Sequence, residues 1–168
     1  MTRVIRGSLG RSVALALAVT AAPFHAAVFA QETAPRKEFI NPPGLFAAGG
    51  YTNVVTVRGG KMVFVAGQVA FDVKGQIVGR GDLRAQFRQT YENVRIALAA
   101  AGATPADVVK LNTYVVNWDP ASHRAVNREE RARFFPGQNP PASTTVGVQA
   151  LALEGLLVEI EVIAVVKE

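Results

Sequence analysis

The sequence predicts an α+β domain in which two helices pack on one face of a mixed β-sheet. Three observations carry this. Residues 82–101 and 122–135 place apolar side chains at steps of three and four, as amphipathic helices do; five other segments alternate or run apolar with β-branched residues; and the two kinds interleave as β-β-α-β-α-β-β. Strands joined partly by tight turns and partly through helices give a mixed sheet with its helices on one side.

Residues 31–50 are rich in Pro, Gly and Ala without a period and read as an irregular leader to a domain at 51–168. The β-rich runs 53–57 and 61–69 flank Arg58-Gly59-Gly60 and read as a hairpin, followed by a turn at Asp72-Val73-Lys74-Gly75. Asp82 stands where an N-cap belongs, Leu83, Phe87, Tyr91, Val94 and Leu98 form the inward stripe of the first helix, and Gly102 lies just past its end. Residues 107–117 return to strand composition, with Val109, Leu111, Thr113 and Val115 on one face and Lys110, Asn112 and Tyr114 on the other. Asp119-Pro120 breaks that strand. The second helix, 122–135, turns Ala125, Val126, Ala132 and Phe135 inward and stops at 137–141. Strands at 142–149 and 156–166 close the domain. In the last, Val158, Ile160, Val162 and Ala164 face one way and Leu157, Glu159, Glu161 and Ile163 the other.

The 168 residues are 49% hydrophobic with no cysteine, which excludes a disordered chain and a disulfide-stapled miniprotein. The net charge of +5 reads first as an affinity for phosphates, but residues 1–30 change its meaning. They carry Arg3, Arg6 and Arg11 with no acid, then the uncharged run 13–22, then Val28 and Ala30 as small residues at a cleavage site. This is the layout of a secretory signal cut after Ala30, implying an exported protein, periplasmic or secreted. The apolar run is shorter than the ~20 residues of a membrane span. The remaining 138 residues hold 15 basic and 13 acidic side chains, a net charge of +2. That balance argues against nucleic-acid and membrane partners for the processed chain.

Familiar chemistries find little support. After residue 30 there is one histidine, His123, and no cysteine, so neither a metal centre nor a cofactor is expected; His123 beside Ser122 at a helix start reads as a capping or surface residue rather than part of a triad. No G-x-S-x-G elbow and no phosphate-binding glycine loop occurs. Arg124, Arg128 and Arg131 share a helical face, with Glu129 and Glu130 between them, and read as a solvated face with local ion pairs; Tyr91 and Tyr114 read as packing residues. Glu159 and Glu161 on an otherwise apolar closing strand ask for a reason, because an ionised carboxylate costs several kcal/mol to bury unpartnered. Either they are paired acids at a sheet edge or subunit seam, or one of them orients water in a cleft.

Gly67-Gln68 after an apolar strand, Ala100-Ala101-Gly102, the strand Val108-Val109-Lys110-Leu111-Asn112-Thr113, a helix with Asn127 and Phe134-Phe135, Pro141-Ala142, and the closing Val158-Glu159-Ile160-Glu161-Val162-Ile163-Ala164 together resemble the RidA/YjgF family. The resemblance spans about residues 50–167. It implies a chorismate-mutase-like α+β fold, a homotrimer, and small-molecule clefts between subunits, in which the best-known members hydrolyse 2-enamine and 2-imine acids such as 2-aminoacrylate to 2-keto acids and ammonia without a cofactor. Carried over by position, Glu159 would place the water, while Tyr51, Gly67 and Asn127 would line the cleft.

One departure stands out. Where the family's arginine follows Pro-Ala and clamps the substrate carboxylate, this chain has Ser143, in the run Ser143-Thr144-Thr145. The usual serine before Gly-Gln is Ala66, and the family's frequent cysteine is Thr145. A guanidinium donates two parallel charged hydrogen bonds to a carboxylate, and a hydroxyl at most one neutral one. Efficient 2-aminoacrylate deamination is therefore not expected. Two readings stay open: a cofactor-free deaminase-type hydrolase acting on a small imine, enamine or related metabolite with Glu159 as catalytic group, or a non-catalytic ligand-binding or chaperone-like module whose Ser143, Thr144 and Thr145 line a hydroxyl-rich pocket.

Overall fold

The computed structural model describes residue 1 and residues 34–45 and 49–168. The described residues from 34 onward belong to one compact unit. The signal sequence expected at 1–30 lies outside the described residues save for Met1.

The leader is not irregular throughout. Arg36–Ile40 forms strand β1, which pairs antiparallel with β2, Val54–Arg58, in a sheet of its own, Arg36 opposite Arg58 and Ile40 opposite Val54. The Pro- and Gly-rich sequence around this five-residue strand hides its alternation. The expected hairpin between 53–57 and 61–69 is replaced by a change of sheet. Gly59 and Gly60, both at positive φ, turn the chain so that β3, Lys61–Val69, joins the main sheet while β2 stays with β1.

That main sheet has four strands in the order β3-β6-β4-β5, with β4 at Val108–Val116, β5 at Ala142–Val148 and β6 at Val158–Val166. β6 runs antiparallel to both neighbours, while β4 and β5 are parallel. A parallel pair needs a crossover, and α2, Pro120–Phe134, supplies it. α1, Leu83–Ala100, packs on β3 and β6 and against α2, so both helices cover one face of a mixed sheet, as expected.

Local chemistry fixes the ends of these elements. Asp82 caps α1 by accepting from the Ala85 amide at 3.0 Å, and Gly102 follows the helix at φ 73°. Asp119 caps α2 by accepting from the Ala121 amide, and Pro120 at the first helical position starts that helix two residues before the periodicity did. His123 belongs to the same cap, its Nδ1 accepting from the Asp119 amide at 3.1 Å.

The core lies between helices and sheet. Val158, Ile160, Val162 and Ala164 of β6 are buried as the alternation required, against Phe87, Val94 and Leu98 of α1. Each of these side chains except Ala164 contributes roughly 1.5–3 kcal/mol of hydrophobic stabilisation. On β4 the inward residues are Val108, Leu111, Thr113 and Val115. Val109 does not join them, because a bulge between Val108 and Lys110 shifts the pleat by one residue. A buried polar side chain, Gln86, ties α1 to the sheet connection by donating to the Gly79 and Gly155 carbonyls and accepting from the Leu157 amide.

Candidate functional site

A cleft of about 660 Å³ opens between α2 and β5. The parallel register puts Ser143 opposite the buried Leu111 and Thr145 opposite the buried Thr113, so both face the helix side of the sheet. α2 lays Asn127 over them, and its Nδ2 donates to Thr145 Oγ1 at 3.3 Å. Tyr51 reaches the cleft because Thr52 is stapled to the start of β5. The Thr52 amide donates to the Pro141 carbonyl, its hydroxyl donates to the Pro140 carbonyl at 2.6 Å, and Thr52 bridges Ala142. Four residues picked from the sequence, Tyr51, Asn127, Ser143 and Thr145, thus line one cavity. Thr144 lies at its rim, but its register partner is Asn112 on the outer face, where its hydroxyl accepts from Lys110 Nζ at 2.7 Å.

The residue that dominates this cleft was expected to be solvated. Arg131 donates from Nη1 to Ser143 Oγ at 3.1 Å. Burial pushes its guanidinium below the ordinary arginine value, with Tyr91 and Tyr51 acting in the other direction, and an arginine starts so high that it stays charged. The expected ion pairs with Glu129 and Glu130 do not form. Glu129 pairs with Arg84 at 2.7 Å, and the buried Glu130 accepts from Arg84 at 2.8 Å and Arg88 at 3.2 Å, with Arg133 also close. These acids point toward α1. Among the described residues Arg124, Arg128 and Arg131 therefore line the cleft with no carboxylate beside them.

Sequence reasoning also missed Trp118. It packs across Gly147, where a Cβ would approach Trp118 Cβ to 2.7 Å, and this brings the indole to the cleft. A glycine in a strand marks such a close approach. The available signal for Arg131 was its spacing, one helical turn after Asn127 on the same face.

Glu159 and Gly67 are brought together, but elsewhere. A Cβ at position 67 would overlap the Glu159 carboxylate, so the glycine beside the β3 bulge is what gives that side chain its place. Glu159 pairs in register with Tyr114, and its buried neighbours Val158 and Ile160 face the helices, so Glu159 is on the outer face of the sheet. Two inter-strand spacings across β4, about 10 Å, and the sheet itself separate it from Ser143. One subunit does not bring Glu159 to the α2–β5 cleft.

Glu161 shares that outer face. It accepts from Asn112 Nδ2 at 2.7 Å and from the Tyr114 hydroxyl at 2.9 Å, and these bonds hold its carboxyl below the ordinary range. Tyr114 thus serves a carboxylate rather than packing alone. Exposed Met62, Phe64 and Val146 share that outer surface with these polar groups.

A second cavity of about 640 Å³, bounded by Lys37, Phe39, the segment 104–106 and the segment 133–139, is less suited to chemistry. Its Lys37 is already committed to Asp107 and the Ala106 carbonyl. Among the described residues no cluster of His, Cys, Asp and Glu could hold a metal ion, and no helix is long and apolar enough to cross a membrane.

Residues 43–166 match the family model described as endoribonuclease L-PSP. The chain is 39% identical over 119 residues to protein DfrA of Myxococcus xanthus, covering 71% of this chain and 87% of that protein. It is 32% identical over 134 residues to a 2-iminobutanoate/2-iminopropanoate deaminase of Dermatophagoides farinae, covering 79% of this chain and 98% of the deaminase. The crystal structure of the Rid-family protein YyfB from Yersinia pestis matches with a TM-score of 0.73 at 43% identity, covering 77% of this chain and 98% of that one. With its mixed sheet, its two helices on one face and a match over nearly all of the described fold, the chain belongs to the RidA/YjgF family, the endoribonuclease L-PSP family.

Proposed function

We propose that this protein is exported, assembles as a homotrimer and hydrolyses the C–N bond of a small imine or enamine acid in a cleft shared between subunits. Family members typically bind small molecules, and one relative is named as a 2-iminobutanoate/2-iminopropanoate deaminase. The observation that carries the reading is the Arg131–Ser143 contact inside the cavity that also gathers Tyr51, Asn127 and Thr145. The guanidinium holds the substrate carboxylate from the helix side, replacing an arginine at 143. Water adds to the imine carbon, its two protons pass to nitrogen, and cleavage of the C–N bond leaves a 2-keto acid and ammonia. Glu159 of a neighbouring subunit, reaching in from the outer face of its own sheet, would position that water. No cofactor is needed for this chemistry.

A guanidinium held through a hydroxyl and presented from a helix is not the strand-borne fork of the family's efficient enzymes, so turnover of 2-aminoacrylate is slow. The distance between Glu159 and the cleft within one chain favours a second reading, a ligand-binding module without catalysis. Generating 2-aminoacrylate in the presence of the protein and following ammonia separates the readings. Release above the spontaneous rate that disappears in Glu159→Gln supports hydrolysis; no acceleration, with a 2-keto acid still bound, supports the module. Export is tested by sequencing the N-terminus of the protein recovered from the host, with Gln31 as the expected first residue.

A further inference from the structure

We propose that the α2–β5 cleft recognises a small ligand with two acidic groups, Arg131 binding the inner carboxylate and Arg128 and Arg124 the outer one. This rests on the cleft's being the ligand site, and it concerns which ligand enters rather than the reaction. Arg124, Arg128 and Arg131 occupy positions i, i+4 and i+7 of α2, a rail about 10 Å long on a single helix face. All three line the same cavity, and among the described residues none is in an ion pair. The two acids of that helix are turned toward Arg84, Arg88 and Arg133 and hold none of the rail's charge.

A partly buried guanidinium with one neutral hydroxyl as partner has lost water without gaining a counter-charge, a state that an entering carboxylate relieves. One carboxylate answers Arg131 and leaves two further cations at the mouth. Arg128 lies three residues back along the helix, about 4.5 Å along its axis, a span that the two ends of a four- or five-carbon dicarboxylic acid cover. Ser143 then has a definite part. With no long side chain at that position, the inner end of the cleft stays free for the helix-borne arginine.

The test compares 2-oxoglutarate with 2-oxopentanoate, five-carbon 2-oxo acids that differ in a terminal carboxylate against a methyl, by isothermal titration calorimetry on the trimmed or full chain as isolated. 2-Oxoglutarate is expected to bind at least tenfold more tightly. Arg124→Gln combined with Arg128→Gln, both exposed positions, should abolish that advantage, whereas Arg131→Gln should weaken binding of both acids. The advantage should also shrink as salt is raised. Equal affinities, an advantage that survives the double variant, or no binding of either acid would overturn the proposal. Because the readout is binding alone, absent hydrolysis sinks the catalytic reading and leaves this one standing. Hydrolysis that persists without any preference for a second carboxylate does the reverse.

Discussion

Arg131 on α2 donates a 3.1 Å hydrogen bond to the hydroxyl of Ser143 on β5, twelve residues away in sequence and across the crossover that makes β4 and β5 parallel. The pair places a positive charge beside the Ser143 hydroxyl. Charged hydrogen bonds contribute roughly 1.5–3 kcal/mol, so Arg131→Gln should weaken binding of a 2-keto acid about ten- to a hundredfold. Ser143→Ala, which only frees the guanidinium, should cost no more than a few-fold. Titration calorimetry on both variants checks this.

Placing an arginine at 143 should not raise activity while Arg131 is present, because two guanidinium groups would compete for one space and repel. Ser143→Arg alone should therefore bind carboxylates no better than the parent. Ser143→Arg with Arg131→Gln should recover what Arg131→Gln loses. A gain from the single substitution would show that Arg131 does not occupy the carboxylate position.

Glu159 and Gly67 form a second unit. Glu159→Gln should lower turnover by about 10²- to 10⁴-fold, the usual range for a positioned acid–base group, with ligand affinity retained. Gly67→Ala should reproduce much of this loss, since the added methyl takes the space of the Glu159 carboxylate. Paired measurements of ammonia release and binding give the answer, and an active Gly67→Ala enzyme would remove Glu159 from the reaction.

The outer face is where the proposed trimer would have its subunit seam. Phe64 is 71% exposed, with Met62 and Val146 also open on the same surface. If this face joins the proposed trimer, Phe64→Asp, which places a charge in that patch, should convert it to monomers in light scattering. A wild-type monomer would leave Glu159 without a cleft to enter.

Acid stability should depend on Glu130. Burial alone would raise its carboxyl, but hydrogen bonds from Arg88 and Arg84 and the charges of Arg88 and Arg133 hold it below the ordinary value. A group whose folded pKa is depressed stabilises above its unfolded pKa and loses that contribution as pH falls through the folded one. The fold should weaken below about pH 4.5, and Glu130→Gln should flatten that acid limb. At neutral pH the same substitution should cost about 1–3 kcal/mol, because it removes a buried acceptor while its partly exposed arginines can turn to water. Urea titrations at several pH values measure both effects.

Much of the fold was legible because burial imposes periodicity. Val158, Ile160, Val162 and Ala164 alternate because one side of β6 faces α1, and the stripe from Leu83 to Leu98 is the other half of the same interface. Legibility failed where a single residue changes phase or where a strand is short. The bulge at Val108 exchanged Val109 for Val108 in the core, and β1 was lost among prolines and glycines. The candidate site was half legible. Tyr51, Asn127, Ser143 and Thr145 come from the family resemblance carried over by position, whereas Arg131 reads as one member of a charged helix face.

The sequence by itself determined the α+β class, the order of helices and strands along the chain from residue 61 onward, the buried stripes and the serine at 143. These are properties of neighbouring residues and of repeats of two or about 3.6. Only the tertiary structure decided which arginine fills the cleft, which way Glu129 and Glu130 turn, and that Glu159 faces away from Ser143. The rotation of α2 against α1 draws both acids to Arg84 and Arg88 and leaves Arg131 to the serine. Partner choice among several like charges is settled by packing at long range, and no local pattern encodes it.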